Sequence, residues 1–356
     1  MNRRAFLFTT ALGLAGCGRG RDTLRVFVYA GNHERIMRES FVPAFQTATG
    51  ATCTLDAGWW DAIGKLKASP RGKPEYDLVI TDATQGYPAI SEGLFAEVNP
   101  ANIPNHRLMI PSALDNEVFR RRMGIPYPDS AMTLASHRDL VANPPIGWDD
   151  LIRPELVGKV AFYSSFYMSL YTFACIKAAA DKKKGTAHAL VANDLMGVLN
   201  FAREYRKNVG WWWKTSSEMI LALARREAAA CNMHSPEMLQ ALREDQSLRA
   251  VVPIHDRAFV QVMWCIPIDT PRKALAERAI DILFSPDVQR AFARSGSATA
   301  LPAVAKEMAD ADPVWASIYP HTSEQLNALR YYPYDVYADR WDDIADFWER
   351  RVLRDG

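Results

Sequence analysis

The strongest constraint on the fold is an alternation of β-rich and helix-forming segments at the start of the chain. Residues 24–29 (LRVFVY) are rich in strand formers, and Asn32 is well suited to begin a helix that Gly50 ends. Further strands are predicted at residues 51–55 and 77–80, with a helix between them. This order predicts parallel strands joined by right-handed crossovers, with the ligand-binding loops gathered at one edge of the sheet.

A second region with the same alternation follows a proline-rich stretch. The chain has 356 residues, enough for two or three folding units. Residues 124–128 (GIPYP) predict a turn at which the chain crosses between units. Strands are then predicted at residues 159–163, 228–232 and 259–268, with helices between them. The sequence therefore predicts an α/β protein.

Charge and motif content exclude several classes of function. The chain has 42 Lys and Arg residues against 41 Asp and Glu residues, a formal net charge of +1, with no basic stripe. Phosphate binding needs concentrated positive charge, so we expect no nucleic-acid partner. The sequence contains no CxxC pair and no HExxH or GxSxG motif. We therefore expect no enzymatic activity and no catalytic cofactor.

The first residues have the character of an export signal. Two arginines precede an apolar run that is too short to span a bilayer. Residues 14–17 (LAGC) resemble the lipobox of bacterial lipoproteins, in which the cysteine is acylated. We predict a signal peptide at residues 1–16, a lipid on Cys17 and a tether at residues 17–23, with a short buried helix as the alternative. The lipid would be the only membrane anchor of a periplasmic or cell-surface protein.

The order of the segments resembles that of the periplasmic solute-binding proteins of bacterial ABC importers, in the group that binds iron, polyamines and thiamine. The likeness is carried by residues 41–50 (FVPAFQTATG), 77–79 (DLV), 92–95 (EGLF), 124–127 (GIPY), 148–151 (WDDL), 154–160 (PELVGKV) and 284–289 (FSPDVQ). The resemblance implies a type II two-lobed fold, each lobe a mainly parallel sheet flanked by helices, with a hinge between them. It also implies that lobe one comprises residues 24–127 with 256–296, and lobe two residues 128–255 with 297–356.

Within that group, residues 28–34 (VYAGNHE) resemble the start of the ferric ion-binding proteins, in which a His after the first strand ligates iron. Asp82 lies near the position of their carboxylate ligand. Those proteins complete the site with adjacent tyrosines in lobe two, whereas this chain has His234 there and its adjacent pair at residues 331–332. Phenolates favour Fe(III), while His and Asp suit divalent metals. We therefore predict that His33, Asp82 and His234 bind iron or a divalent transition metal.

Each of these residues also has a simpler interpretation. His33 falls in the first turn of a helix, where a solvated side chain is common, and His234 is equally compatible with a turn. The carboxylate of Asp82 suits a cationic amine as well as a metal, or it caps the following helix. Trp59 and Trp60 either stack on an organic ligand or a cation, or pack against their own lobe.

Polar groups at the same predicted edges complete the candidate site. Hydroxyls and helix-start amides in lobe two would hold an anion, alone or as the partner of a metal. Thr215 also fits a capping box with Glu218. The full set of predicted ligand contacts is Asn32, His33, Trp59, Asp82, Ser164, Ser165, Thr215, Ser216, Asn232 and His234.

Together these features predict a lipoprotein that captures a small solute and passes it to the membrane permease subunits of an ABC importer. Ligand would be held by closure of the two lobes of a monomer. A metal ion is the first ligand class, and a polyamine or another small organic solute is the alternative. An exported metal-dependent hydrolase would instead need three protein ligands and a base in one lobe. A scaffold lipoprotein would have its cleft blocked by large side chains.

Overall fold

The computed structural model of the protein describes residues 22–253 and 255–354. The predicted signal peptide, the lipidated Cys17 and most of the tether lie outside these residues, so they stay predictions. Within the described residues, no helix combines the length and the apolar composition needed to cross a membrane. The architecture is α/β, as the sequence predicts.

In the part of the chain that the structure describes, ten strands form one continuous sheet. They are β1 Thr23–Tyr29, β2 Thr52–Gly58, β3 Leu78–Asp82, β4 Phe95–Ala96, β5 Ile125–His137, β6 Val160–Tyr163, β7 Val209–Trp213, β8 Ala230–His234, β9 Leu248–Val251 and β10 Phe259–Pro267. Their order is β2-β1-β3-β10-β5-β8-β6-β7, with β4 paired to β10 and β9 paired to β5. Strands β2, β1 and β3 are parallel, as are β8, β6 and β7. The two parallel groups are the half-sheets of the two lobes.

Helices surround both half-sheets. The α-helices are α1 Asn32–Ile36, α2 Val42–Thr49, α3 Ala62–Ala68, α4 Ala83–Ser91, α5 Pro111–Leu114, α6 Glu117–Arg120, α7 Phe166–Ala180, α8 Ala187–Asn193, α9 Leu195–Tyr205, α10 Ser216–Ala224, α11 Ser235–Glu244, α12 Lys273–Leu283, α13 Pro286–Arg294, α14 Pro302–Ala311, α15 Pro313–Ile318, α16 Ser323–Asn327, α17 Tyr334–Asp339 and α18 Trp341–Phe347. Met37–Phe41 and Trp348–Leu353 are π-helical, and five short 3-10 turns lie at Pro100–Asn102, Pro104–Leu108, Trp148–Ile152, Pro154–Leu156 and Arg206–Asn208.

The two half-sheets are joined through a strand that the sequence does not reveal. The turn predicted at residues 124–128 is wrong, because residues 125–128 are the first part of β5, a strand of 13 residues that is almost wholly buried. The first half of β5 pairs antiparallel with β10, where Tyr127 lies opposite Val262. Its second half pairs antiparallel with β8, where Met132 lies opposite His234. Proline is normally disfavoured in a central strand, because it has no N–H to donate to the neighbouring strand. In β5 the burial of apolar side chains outweighs the loss of these hydrogen bonds.

A third passage of the chain runs beside these two strands. Phe259, at the start of β10, forms a parallel bridge with Tyr331. The Phe259 amide donates to the carbonyl oxygen of Arg330 at 2.9 Å, and the Tyr332 amide donates to the carbonyl oxygen of Phe259 at 3.2 Å. We call residues 330–332 the third crossing segment, because they run beside β10 where it pairs with β5. The residue boundaries predicted for each lobe stay a prediction.

We expect the contact between β5 and β10 to be sensitive to one added methyl group. A Cβ atom on Gly124 would lie 2.6 Å from the carbonyl oxygen of Trp264 and 2.9 Å from Sγ of Cys265. The backbone of β10 would have to move, so Gly124→Ala should lower the free energy of unfolding by about 1–3 kcal/mol.

Gly64 in α3 provides the control, because nothing lies within 4 Å of the Cβ that alanine would add there. Gly64→Ala should leave stability unchanged or raise it by up to about 1 kcal/mol. Urea denaturation of both variants measures the difference. Equal stability of the two variants would contradict the packing argument.

Candidate functional site

A small cavity lies between the lobes, at the carboxyl ends of β1, β3 and β8 and beside the crossing strands β5 and β10. Its volume is about 170 Å³. It is lined by Tyr29, Trp59, Trp60, Asp82, Thr84, Asp129, Ser130, Tyr167, His234, Pro236, Glu237, Val260, Val262 and Tyr334. We call it the front cavity. The predicted contacts Trp59, Asp82 and His234 all line it, as expected for residues at the carboxyl ends of parallel strands.

Asp82 both caps a helix and lines the front cavity. Its Oδ1 accepts hydrogen bonds from the amide of Thr84 at 2.7 Å and from the amide of Gln85 at 3.3 Å. The hydroxyl of Thr84 donates to the same oxygen. Burial raises the pKa of the Asp82 carboxyl despite these bonds. The capping interpretation is therefore confirmed, and the other carboxylate oxygen has no protein partner in the described residues.

His234 lines the cavity as a neutral side chain. Its Nε2 lies 3.0 Å from the hydroxyl of Tyr167, and its Nδ1 lies 3.4 Å from the hydroxyl of Ser130. Burial lowers the pKa of His234 to about 4. The imidazole therefore carries no charge at neutral pH and does not balance the carboxylates around it.

His33 is displaced from the site that the sequence predicts for it. Its ring is enclosed by the rings of Tyr29, Trp264 and Phe292, with centroid separations of 5.7, 6.0 and 5.1 Å. Both ring nitrogens are buried without a hydrogen-bond partner, and burial lowers the pKa to about 3. His33 does not line the front cavity. The solvated alternative is also wrong, because the imidazole is packed among aromatic rings.

The predicted metal ligands are consequently not brought together. Among residues 22–253 and 255–354, no group of three or more His, Cys, Asp or Glu side chains is arranged to hold a metal ion. Asp82 and His234 share the front cavity, whereas His33 lies outside its lining. The structure therefore does not bring the predicted metal ligands His33, Asp82 and His234 together in one site.

Two of the predicted polar contacts have structural roles instead. Asn232 is fully buried, and its side chain accepts from the amide of Tyr163 and donates to the hydroxyls of Ser169 and Thr172. It thereby ties β8 to β6 and α7. Thr215 forms the predicted capping box of α10 with Glu218.

The remaining predicted contacts also lie outside the lining of the front cavity. Asn32 is exposed and donates to the carbonyl oxygen of Ser295 at 3.2 Å. The carbonyl oxygen of Ser164 accepts from the indole of Trp348 at 2.8 Å. Ser165 precedes α7 without a side-chain cap, and Ser216 begins α10. These residues do not converge on an anion.

Two carboxyl groups of the front cavity escape prediction from the sequence. Asp129 lies in β5, and burial, with a smaller contribution from the charge of Glu237, raises its pKa to about 7. Glu237 lies in the first turn of α11, where the residue as a whole is exposed, and partial desolvation of its carboxyl group raises its pKa as well. Asp129 follows a proline-rich segment that reads as a turn, so no local signal places it in the cavity. Glu237 is detectable only as an acid just beyond the strand that ends at His234.

Aromatic rings form the other part of the lining. Trp59 and Trp60 are 59% and 57% exposed at the rim of the cavity. Trp59 stacks on Tyr29 with a centroid separation of 5.6 Å and an interplanar angle of 16°. The hydroxyls of Tyr29 and Tyr334 are buried without a partner. The front cavity therefore joins three carboxyl groups to aromatic faces, and the described residues that line it include no Lys or Arg.

The two-lobed α/β architecture with a ligand-sized cavity between the lobes defines the class of periplasmic binding proteins. The model of the family described as bacterial extracellular solute-binding protein matches residues 40–320. The chain belongs to this family, whose members are binding proteins, which favours the receptor interpretation over the hydrolase.

Relatives of known name and known structure agree with this assignment. The chain is 23% identical to the gamma-aminobutyric acid-binding protein of Pseudomonas aeruginosa over 297 residues, which cover 81% of this chain and 79% of that protein. An ABC transporter substrate-binding protein from Bradyrhizobium japonicum superposes with a TM-score of 0.75 at 16% identity, covering 92% of this chain and 99% of that one. The spermidine/putrescine substrate-binding protein of Streptococcus pneumoniae gives 0.70 at 16% identity, with the same coverage. These structural likenesses establish the fold.

We expect the half-buried Asp129 carboxyl to make the free protein less stable as pH rises. Its pKa of about 7 in the folded protein lies above the ordinary value of 3.8, so the folded state holds the proton more tightly than the unfolded state. Stability should therefore fall between about pH 4 and pH 7. Asp129→Asn should be more stable than wild type at pH 8 by up to about 4 kcal/mol, and this gain should vanish below pH 4.

Urea denaturation at pH 4, 6 and 8 measures this difference. Asp310→Asn is the control, because the Asp310 side chain is 66% exposed and its pairing with Lys306 is on the surface. A gain for Asp129→Asn that is the same at every pH would contradict the assignment.

Proposed function

We propose that the protein is the solute-binding component of an ABC importer and that its ligand is a small cationic amine of the diamine or polyamine class. The observation that carries this proposal is the set of three carboxyl groups, Asp82, Asp129 and Glu237, around one small cavity whose described lining has no Lys or Arg. The partner would be the membrane permease of the importer, and Cys17 would carry the lipid anchor of a monomeric receptor.

An ammonium group supplies the charge that the cavity lacks. Removing carboxylates from water is costly unless a positive charge or hydrogen-bond donors compensate them. Burial raises the pKa of all three carboxyl groups, because no described cation in the lining offsets their desolvation. A bound ammonium would favour the ionised forms and donate charge-assisted hydrogen bonds to their carboxylate oxygens.

The three carboxyl groups also come from different parts of the fold. Asp82 ends β3, Asp129 lies on the crossing strand β5, and Glu237 lies on α11 beyond β8. An amine that contacts all three would interact with both lobes and with the segment that joins them. Such a ligand binds the closed arrangement more tightly than the open one, which is how a two-lobed receptor is driven to close.

The aromatic lining suits the rest of an amine ligand. The faces of Trp59 and Tyr29 offer cation–π contacts to the ammonium and apolar contacts to a methylene chain. A volume of about 170 Å³ is below the roughly 300–1,000 Å³ of sites for drug-sized ligands. The cavity therefore favours a short, unbranched solute.

The relatives support an amine, and the lining distinguishes among amines. Gamma-aminobutyric acid, spermidine and putrescine, named for two of the relatives, all carry a protonated amine. An amino acid also has a carboxylate, which needs a cation or several donors, and the described lining contains no Lys or Arg. We therefore place diamines and polyamines ahead of amino acids, and ahead of the metal ion that the sequence first suggests.

A thermal-shift screen with putrescine, spermidine, gamma-aminobutyric acid, Fe(III) and Zn(II) tests the ligand class. A ligand at about one hundred times its Kd should stabilise the protein by roughly 2.7 kcal/mol. We expect the amines without a carboxylate to raise the unfolding temperature most. Binding should tighten from pH 5 to pH 8, because Asp129 must lose its proton before it pairs with an ammonium. Stabilisation by metals with inert amines would contradict the proposal.

Glu237→Gln should weaken binding of the preferred amine by about 10- to 100-fold, since a hydrogen bond to a charged group contributes about 1.5–3 kcal/mol. Glu244→Gln is the matched control, because Glu244 ends the same helix α11 and its carboxylate bonds only to Gln240 in the described residues. Isothermal titration calorimetry measures both variants. Equal affinities in the two would remove Glu237 from the site.

We expect Trp59 to contribute to binding more than to stability. Its side chain is more than half exposed, so Trp59→Ala should change the free energy of unfolding by less than about 1 kcal/mol. Loss of the aromatic face should weaken amine binding by about 1–2 kcal/mol, or roughly 5- to 30-fold. Trp59→Phe retains a ring and should lose less. Calorimetric titration measures the affinities of the wild type and of both variants. Identical affinities would show that the indole of Trp59 does not contact the ligand.

A further inference from the structure

A second and larger cavity lies on the opposite side of the crossing strand β10. Side chains along a strand point alternately to its two faces. Val260 and Val262 line the front cavity, while Gln261 between them lines the second cavity, whose volume is about 690 Å³. We call this second space the back cavity. Its walls include Tyr87 and Arg120 from the first half of the chain and Tyr171 on α7.

The back cavity is faced by hydrogen-bond donors that have no partner in the described residues. Gln261 is 1% exposed, and its buried Nε2 lies beside the hydroxyl of Tyr87 but makes no hydrogen bond of ordinary geometry. The hydroxyl of Tyr332, in the third crossing segment, is likewise buried without a partner. Nε of Arg257 is buried and unbonded as well. Each of these buried groups loses its hydrogen bond to water and gains none from the described residues. A ligand that supplies an acceptor would satisfy them.

The acidic side chains of the same cavity are already compensated or open to water. Asp115 pairs with Arg120 at 2.9 Å, and Glu117 pairs with Arg121 at 3.1 Å. The carboxylate of Asp256 accepts the amides of Gly185 and Ala187, both at 2.8 Å. The remaining acid, Asp335 on α17, is exposed. Of the groups that lack partners, the Arg257 guanidinium and the Gln261 amide nitrogen can only donate, and the Tyr332 hydroxyl can donate as well as accept.

We propose that the back cavity is a second binding site, distinct from the amine site, and that it takes a small organic carboxylate. The two oxygens of a carboxylate match the planar donors of Arg257 and the amide of Gln261, and the hydroxyl of Tyr332 provides a further donor. The rings of Tyr171 and Tyr87 offer apolar walls for the carbon skeleton. This proposal holds whether or not the front cavity binds an amine.

A carboxylate bound in the back cavity would change the equilibrium between the open and closed arrangements of the lobes. Its lining combines α7 with residues near α4 and α6 and with both β10 and the third crossing segment. Tyr334 lines both cavities. A carboxylate that contacts these elements would have different affinities for the open and closed arrangements. By linkage, the carboxylate would change amine affinity by the same factor as the amine changes carboxylate affinity.

The test uses the mature protein without any amine, so its outcome does not depend on the front cavity. Succinate, benzoate and inorganic phosphate are titrated at constant ionic strength set with sodium chloride, with the unfolding temperature and calorimetric heat as readouts. We expect succinate or benzoate to bind and to raise the unfolding temperature. Binding of phosphate alone would overturn the assigned ligand class, and no binding by any of the three would overturn the site.

Substitutions of residues that line the back cavity test whether the carboxylate binds there. Arg257→Gln and Tyr332→Phe should each weaken carboxylate binding at least about tenfold, since each removes a donor to a charged group. Tyr332→Phe keeps the ring contacts with Tyr171 and Tyr334, so it should fold normally. It therefore tests the site even if Arg257→Gln does not fold. Arg249→Gln is the control, because Arg249 lines a different cavity. Carboxylate binding that survives in both test variants would overturn the proposal.

Discussion

The antiparallel pairing of β5 with β10 is the contact on which the rest of the structure depends. Each of the two parallel half-sheets could bury its faces with its own helices, but nothing in either would fix its position relative to the other. Strand β5 is shared, because its first half pairs with β10 and its second half pairs with β8. The bridge between Phe259 and Tyr331 adds a third segment beside this pair. The cavities on the two sides of β10 exist because these segments cross between the lobes.

Desolvation connects this architecture to ligand capture. The crossing strand carries Asp129 into a cavity that also receives Asp82 from one lobe and Glu237 from the other. Asp82 and Asp129 are half-buried and Glu237 is exposed, yet partial desolvation without a cation in the described lining raises the pKa of all three carboxyl groups. The charge of these carboxyl groups is therefore compensated only when a positively charged ligand binds. The energy of closing is then supplied by charge compensation that involves both halves of the molecule at once.

Part of this site was predictable because its position follows from local sequence. The strand that ends at Asp82 and the strand that ends at His234 are both visible as β-rich runs, and parallel strands bring their carboxyl ends to one edge. Asp129 was hidden because Pro126 and Pro128 resemble a turn, and only long-range pairing makes that segment a strand. His33 follows its strand as expected, yet aromatic packing from Trp264, far away in the sequence, encloses its ring.

Local sequence accounts for the α/β class, for six of the ten strands in the described residues, for the helix that Gly50 ends and for the capping box of Thr215, because these depend on residues close together in the chain. Which polar side chains meet depends instead on long-range packing. Convergence of Asp82, Asp129 and Glu237 depends on strand pairing between segments separated by about a hundred residues. Whether a carboxyl or an imidazole faces a ligand or a packed core is set by such pairings and by burial, which local sequence does not encode.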